Sequence, residues 1–219
     1  MRKEVCMTDT NYGYYDIDMD VEQMLTDTGL IDSWFYLQDL RQRKLRLNGE
    51  IDQYMVSDIV RHILQFNQED KGISPEHRVP IILYVSSNGG EVDAGFELID
   101  VIRASKTPVY TVNLGFQYSM GFLIGLAGHK RFATPNAKVL MHDGSQFIYN
   151  SGTKVQDQME FQRKVEERVK KYIIGSSKLS EDEYNSKLRV EWYLFADEAK
   201  EKGFVDYIIG VDCDIDAVI

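Results

Sequence analysis

The segment Gly115-Phe116-Gln117-Tyr118-Ser119-Met120-Gly121 places a serine between a strand-ending loop and a short apolar helix. At such a junction the first backbone N–H groups lack intrahelical partners and the helix dipole favours negative charge. An attacking serine needs that setting, because the carbonyl oxygen it attacks becomes an oxyanion. The segment is not the nucleophile elbow of α/β-hydrolases, since Gln117 stands where the first glycine of that motif belongs. A serine at a helix start also serves simply as an N-cap, and this segment alone leaves both roles open. Gly89-Gly90 ends the segment Ser86-Ser87-Asn88-Gly89-Gly90 that follows a buried strand, at a turn where the backbone can approach a ligand closely. That is a second source of oxyanion donors and a surface for an extended peptide, or merely a tight strand-to-helix turn. His142 ends the strand Ala137-Lys138-Val139-Leu140-Met141 and supplies an imidazole toward the same sheet edge. His62 lies within an amphipathic helix, and His77 and His129 fall in loops, which makes them weaker candidates for acid–base work.

Elements of α/β type must position these residues. Met55, Val56, Ile59, Val60, Ile63 and Leu64 recur at helical spacing and predict a helix ending near Asn67, after a strand through Leu45 and Leu47 and a turn at Asn48-Gly49. Gln68 to His77, with Gly72 and Pro75, reads as a loop. The continuous apolar run Val79 to Val85 fits a strand buried on both faces, broken by Ser86-Ser87-Asn88-Gly89-Gly90. A helix follows with Val92, Phe96, Ile99 and Ile102 on one side. Then come a strand from Val109 to Leu114, a loop from Gly115, a helix from Ser119 to Ala127 and a strand from Ala137. Strand and helix in alternation point to crossover connections. The longest helix, Thr153 to Ser176, carries a narrow stripe (Val155, Met159, Val165, Val169, Tyr172, Ile173) and the pairs Glu160/Lys164, Glu166/Lys170 and Glu167/Lys171. Those pairs contribute together on the order of 1 kcal/mol. The narrow stripe fits a projecting helix or an ordinary surface one. Ser180 and Glu183 form a capping box for a short helix, Ala196 to Lys202 makes another stopped by Gly203, and Val205 to Ile209 closes with a strand.

Composition bounds the function. The chain has 219 residues, 43% of them apolar and 27% charged, which is ordinary globular usage. With 25 Lys+Arg against 35 Asp+Glu its net charge is −10, which argues against a nucleic-acid or anionic-membrane partner. The one dense basic run, Arg41 to Arg46, reads as a solvated strand edge. Cys6 and Cys213 sit far apart without metal-ligand spacing, so neither a disulfide framework nor a metal site is expected. No stretch has signal-peptide or membrane-span character, and the expectation is a soluble, cytoplasmic protein. Residues 1–30, acidic and tyrosine-rich, read as an N-terminal extension or arm, and residues 31–219 as a single domain.

Taken in order, Ser86 to Gly95, Tyr118-Ser119-Met120-Gly121, Lys130 to Ala137 and Met141-His142 resemble the proteolytic subunit of the ATP-dependent Clp protease. The likeness extends through Ala196 to Asp206 and covers roughly Trp34 to Ile209. The resemblance implies a crotonase-like α/β fold of repeated β-β-α units, with the long helix as a projecting handle by which two rings interlock. It implies a serine endopeptidase built as two stacked seven-membered rings of a homo-oligomer, fed with unfolded polypeptide by an AAA+ ATPase unfoldase. By position, Ser119 becomes the nucleophile and His142 the base, and the N–H groups of Gly90 and Met120 the oxyanion donors. Gly89, Gly90, Glu91 and Val92, with Asp143, become the substrate-binding edge. Glu191 occupies the position of the family's aspartate, one methylene longer. Other departures are Asn88 for proline, Gln117-Tyr118 for two small residues, Asp143-Gly144 for Gln-Pro and Val190 for arginine. They keep open a catalytically weak, structural subunit of a mixed ring with an active paralogue. A different crotonase-fold acyl-transfer enzyme is a further alternative. No Gly-rich stretch runs into Gly-Lys-Ser or Gly-Lys-Thr, so any ATP dependence comes from a partner, and no cofactor is implied.

Overall fold

A computed structural model describes residues 28–144 and 151–219. The reading of residues 1–30 as an arm therefore falls almost wholly outside the described residues, as does Cys6. The chain divides into two compact units, Met1–Gln38 and Asp39–Ile219. Of the first, the described part is helical, belonging to α1 (Thr28–Arg41), and Trp34 meets Phe35 edge-on at 5.0 Å.

The second unit alternates strands and helices. They are β1 (Lys44–Ile51), α2 (Gln53–Glu69), β2 (Ile81–Gly90), α3 (Val92–Ala104), β3 (Val109–Asn113), β4 (Phe116–Tyr118), α4 (Met120–Leu126), β5 (Lys130–Ala133) and β6 (Lys138–Met141). After these come α5 (Gly152–Gly175), α6 (Glu181–Lys187), β7 (Trp192–Phe195), α7 (Ala196–Glu201) and β8 (Tyr207–Ile208), with a closing 3₁₀ turn at Ile215–Val218. Asp52 caps α2 by accepting from Met55 N, and Ser180 caps α6 by accepting from Glu183 N, which is the serine half of the expected capping box; the Glu183 carboxylate accepts from Lys202 Nζ.

Strands β1, β2, β3, β5 and β8 make one parallel layer; the end of β2 with β4, β6 and the antiparallel β7 makes a second. The units β3–β4–α4 and β5–β6–α5 each give one strand to each layer before their helix, which is the repeated strand–strand–helix arrangement expected. Strand β2 serves both layers by itself. Its first residues pair with β3, while Ser87 pairs with Gln117 of β4. Where it changes layer, the step from Asn48 to Glu50 on β1 is matched by Ser86 to Gly89 on β2, so β2 carries an extra residue. Such a bulge bends the strand and re-aims the residues beyond it. The apolar stretch Ile81–Val85 is wholly buried, as a strand covered on both faces must be.

Several local expectations are corrected. Asn48-Gly49 is no strand-ending turn: β1 runs through it. Ser86–Gly90 does not break β2 but forms its last half, because β1 and β4 satisfy its backbone. Strands β4, β5 and β7 were not expected. Each has three or four residues and is partly exposed, too short to show a period. The basic run does lie at a strand edge, with Arg41, Gln42 and Arg46 exposed on a β1 that pairs with β2 alone, but Arg43 departs from that reading. Arg43 sits at φ 55° with its guanidinium on both oxygens of Asp70 (2.7 and 2.8 Å), and Asp70 is 2% exposed. Arg46 donates to Asp39 at 2.6 Å and lies over the Tyr84 ring.

Helix α5 is exposed along most of its length, and Ile173 near its end is its buried residue. Of its expected pairs, Glu160/Lys164 and Glu167/Lys171 form, whereas Lys170 turns to Glu181 of α6 at 2.7 Å rather than to Glu166. Among the described residues no helix is long and apolar enough to cross a membrane.

Candidate active site

Ser119 is held by the switch between layers. Its N–H donates to Leu140 O at 3.0 Å, continuing the β4–β6 ladder in which Tyr118 faces Leu140. Its own carbonyl accepts from Phe122 and Leu123, making it the N-cap of α4. Meeting both demands forces φ 53° and ψ −120°. Only Arg43 shares a positive φ among the described non-glycine residues. A serine in this region of the map is strained by roughly 1–3 kcal/mol, and such strain clusters where chemistry is done.

Gly89 fits beneath it. Its φ is +108°, and a Cβ there would stand 2.7 Å from Ser119 Cβ, 3.1 Å from Ser119 Oγ and 3.2 Å from the Met120 nitrogen. The end of β2 therefore brings bare backbone to the serine and to the first amide of α4. Gly90 is pressed against the other neighbour, where a Cβ would stand 2.2 Å from Ile51 O of β1. Both glycines are required by close approach, not by flexibility.

His142 follows β6, two residues beyond Leu140, so the hydrogen bond at Ser119 N also fixes the spacing between serine and imidazole. Its Nδ1 lies 3.0 Å from Glu191 Oε1. A carboxylate only accepts, so the proton of this bond sits on Nδ1, and in the neutral imidazole Nε2 is then the lone-pair nitrogen. Nε2 is the one buried side-chain nitrogen or oxygen without a hydrogen-bond partner among the described residues. It is thus not bonded to Ser119 in this structure; catalytic contacts of this kind are often long until substrate binds. Glu191 stands just before β7, which pairs antiparallel with β6, and its side chain is 59% exposed.

A cavity of about 760 Å³ opens between β2, α4 and α5 and is lined by Gly90, Val92, Ser119, Met120, His142 and Asp143. The extra methylene of Glu191 thus does not prevent contact with His142, whereas neighbouring Asp143 lines the cavity instead. Gly89, Glu91 and Glu191 do not line it. Gly89 lies under the serine, Glu91 flanks an adjoining groove beside α5, and Glu191 is behind the imidazole. The far wall, not anticipated from sequence, comes from α5, α6 and Leu188-Arg189. Tyr184 on that wall titrates above its ordinary range, chiefly through burial and further through Glu166, Glu167 and Asp143. Tyr193 also escaped the sequence reading: its hydroxyl donates to Glu191 Oε2 at 3.2 Å. The signal available was its i+2 spacing from Glu191, which puts two residues on one side wherever the backbone is extended.

The model of the Clp protease family matches residues 31–212. An ATP-dependent Clp protease proteolytic subunit 2 of Treponema pallidum (strain Nichols) is 32% identical over 186 residues, covering 84% of this chain and 90% of the relative. A proteolytic subunit 1 of Streptomyces avermitilis is 33% identical over 190 residues, covering 84% and 83%. A proteolytic subunit 2 of Treponema denticola is 31% identical over 171 residues, covering 77% and 82%. The two-layer strand–strand–helix repeats are the crotonase-like fold of this family. With a match over nearly the whole described chain and relatives near one-third identity, the chain belongs to the Clp protease family.

Proposed function

We propose that this chain is a serine endopeptidase that cleaves polypeptides by acyl transfer through Ser119, as the proteolytic subunit of an ATP-dependent protease. The observation that carries the reading is the Glu191–His142 contact at 3.0 Å with an unpartnered Nε2, on a residue lining the same cavity as the strained Ser119. In this mechanism His142 Nε2 takes the proton of Ser119 Oγ as it attacks the peptide carbonyl, then returns it to the leaving amine. Water repeats the sequence to free the acyl group. Glu191 holds the imidazole and stabilises its cationic form. The N–H groups of Gly90 and Met120 receive the oxyanion, and the closeness of the Gly89 backbone to Met120 N, where an added Cβ would stand 3.2 Å away, supports such a pocket. Substrate lies extended along Gly90–Val92 and Asp143, main chain to main chain.

The subunit assembles in stacked seven-membered rings, works in the cytoplasm and receives unfolded polypeptide from an AAA+ unfoldase. Enclosure lets specificity reside in the gate, so the cavity itself need not be selective. Exposed Met159 and Phe161 on α5 support a role for that helix in ring contacts. Residues 31–219 act as one peptidase domain, preceded by an arm.

The test is intact-mass analysis after fluorophosphonate treatment of wild type and Ser119→Ala. One adduct per chain, lost in the variant, is the expected result. An assembled protein that takes up no adduct overturns the catalytic reading and leaves a structural subunit in a mixed ring.

A further inference from the structure

Glutamate in place of aspartate adds one rotatable bond between backbone and carboxylate, and Glu191 is more than half exposed. Something must hold it on His142. Glu191 stands at the entrance to β7, two residues before Tyr193, and the two side chains meet. The two carboxylate oxygens are divided accordingly, with Oε1 3.0 Å from His142 Nδ1 and Oε2 accepting from the Tyr193 hydroxyl at 3.2 Å.

The phenol is itself placed by neighbours. Tyr193 meets Tyr118 edge-to-face, with ring centroids 5.5 Å apart and planes at 90°, and Tyr118 packs on Phe116 at 5.3 Å. Register explains the meeting: Tyr118 of β4 pairs with Leu140 of β6, and Leu140 pairs with Tyr193 of β7. The three stand in one row, and the two rings close over a buried Leu140. Tyr118 immediately precedes Ser119, and Tyr193 follows Glu191 by two. The bulky residue before the serine therefore connects the strand leading to the nucleophile with the strand that the carboxylate residue precedes.

We propose that Tyr193 is a positioning residue for the acyl-transfer reaction, fixing the Glu191 carboxylate on His142 while Tyr118 fixes the phenol. The inference rests on the Ser119–His142 reading above. The hydrogen bond to Glu191 raises the Tyr193 phenol above its ordinary titration range, so it remains a donor through neutral pH.

Tyr193→Phe keeps the ring against Tyr118 and removes only the hydroxyl. The assembled wild type, Tyr193→Phe, Glu191→Ala and the double variant are compared by the rate of fluorophosphonate acylation, and the first two also by kcat and KM on a fluorogenic peptide. The expected result is a ~2- to 10-fold fall in kcat with KM within about 2-fold, the effect of one hydrogen bond expressed only through the base. In the Glu191→Ala background the same change has no further effect, because the group it acts through is gone. A Tyr193→Phe enzyme equal to wild type overturns the inference. So does an equal loss with and without Glu191, which assigns Tyr193 to packing alone. A wild type that is never acylated sinks the catalytic reading itself and Tyr193's role with it, so the two failures are told apart.

Discussion

Gly89→Ala separates backbone strain from the placement of Ser119. The new methyl meets two costs. At φ +108° an alanine is disfavoured by ~1–2 kcal/mol, as any L-residue is in left-handed backbone. For a chain of this size that lowers the melting temperature by about 2–8 °C. The second cost is local. The methyl would stand 2.7 Å from Ser119 Cβ, and ordinary contact begins near 3.4 Å, so the serine and the end of β2 must part by about 0.7 Å. Ser119 has little freedom to comply, since its N–H is held by Leu140 O and its carbonyl by α4. A displacement near 1 Å at a reacting group costs up to ~10²-fold in rate, so acylation should slow by ~10- to 100-fold. Gly72→Ala is the control. Gly72 has φ +99° with nothing within 4 Å of the added carbon, so it bears the backbone cost without the clash. Both variants are measured for fluorophosphonate acylation rate and thermal melting. Gly72→Ala is expected to melt earlier yet react at the wild-type rate. If folded Gly89→Ala reacts within 2-fold of wild type, the end of β2 does not set the serine and the reasoning is wrong. If Gly72→Ala slows as much as Gly89→Ala, strain rather than contact is responsible.

Glu191→Gln should slow acylation by more than ~10-fold, yet fall short of the ~10⁴-fold loss seen where a triad carboxylate is buried, because Glu191 is 59% exposed; wild-type kinetics in the variant would remove Glu191 from the mechanism. Asp70→Asn leaves Arg43 without its buried counter-charge and should cost about 3 kcal/mol, or about 6–12 °C in melting temperature. The pH dependence comes from Arg43, whose hydrogen bonds, aided by Thr107, hold the Asp70 carboxyl below its ordinary range. A lowered folded-state value stabilises the fold above the unfolded carboxylate's pKa of about 4 and loses that contribution as pH falls through the folded value. The melting difference between wild type and variant should thus be flat from about pH 5 to 8 and shrink below about pH 4; a difference that grows with acid would contradict the assignment.

Elements with a local signal are legible in the residues alone. The apolar run Val79–Val85, the helical spacing from Met55 to Leu64 and the caps at Ser180 and Ser119 report on a few neighbouring residues, and each marks its element, although the buried strand begins only at Ile81 and Val79 is exposed. The candidates Ser119, Gly89-Gly90 and His142 were legible for the same reason, as small or polar residues at the ends of apolar segments. Short β4, β5 and β7 were not legible, because three or four half-exposed residues carry no period and are strands only through their partners. Arg43 was misread because its counter-charge, Asp70, lies 27 positions away, and a charge run looks solvated until the fold supplies the other half. How the site is joined depends on the folded chain. The shift of β2 from one layer to the other sets Gly89 under Ser119. The β4–β6–β7 register then brings Glu191 to His142 and Tyr193 to Tyr118 across 49 and 75 residues of chain. Contacts of that separation leave no periodic trace, since they arise from hydrogen-bonded register between strands rather than from spacing along one.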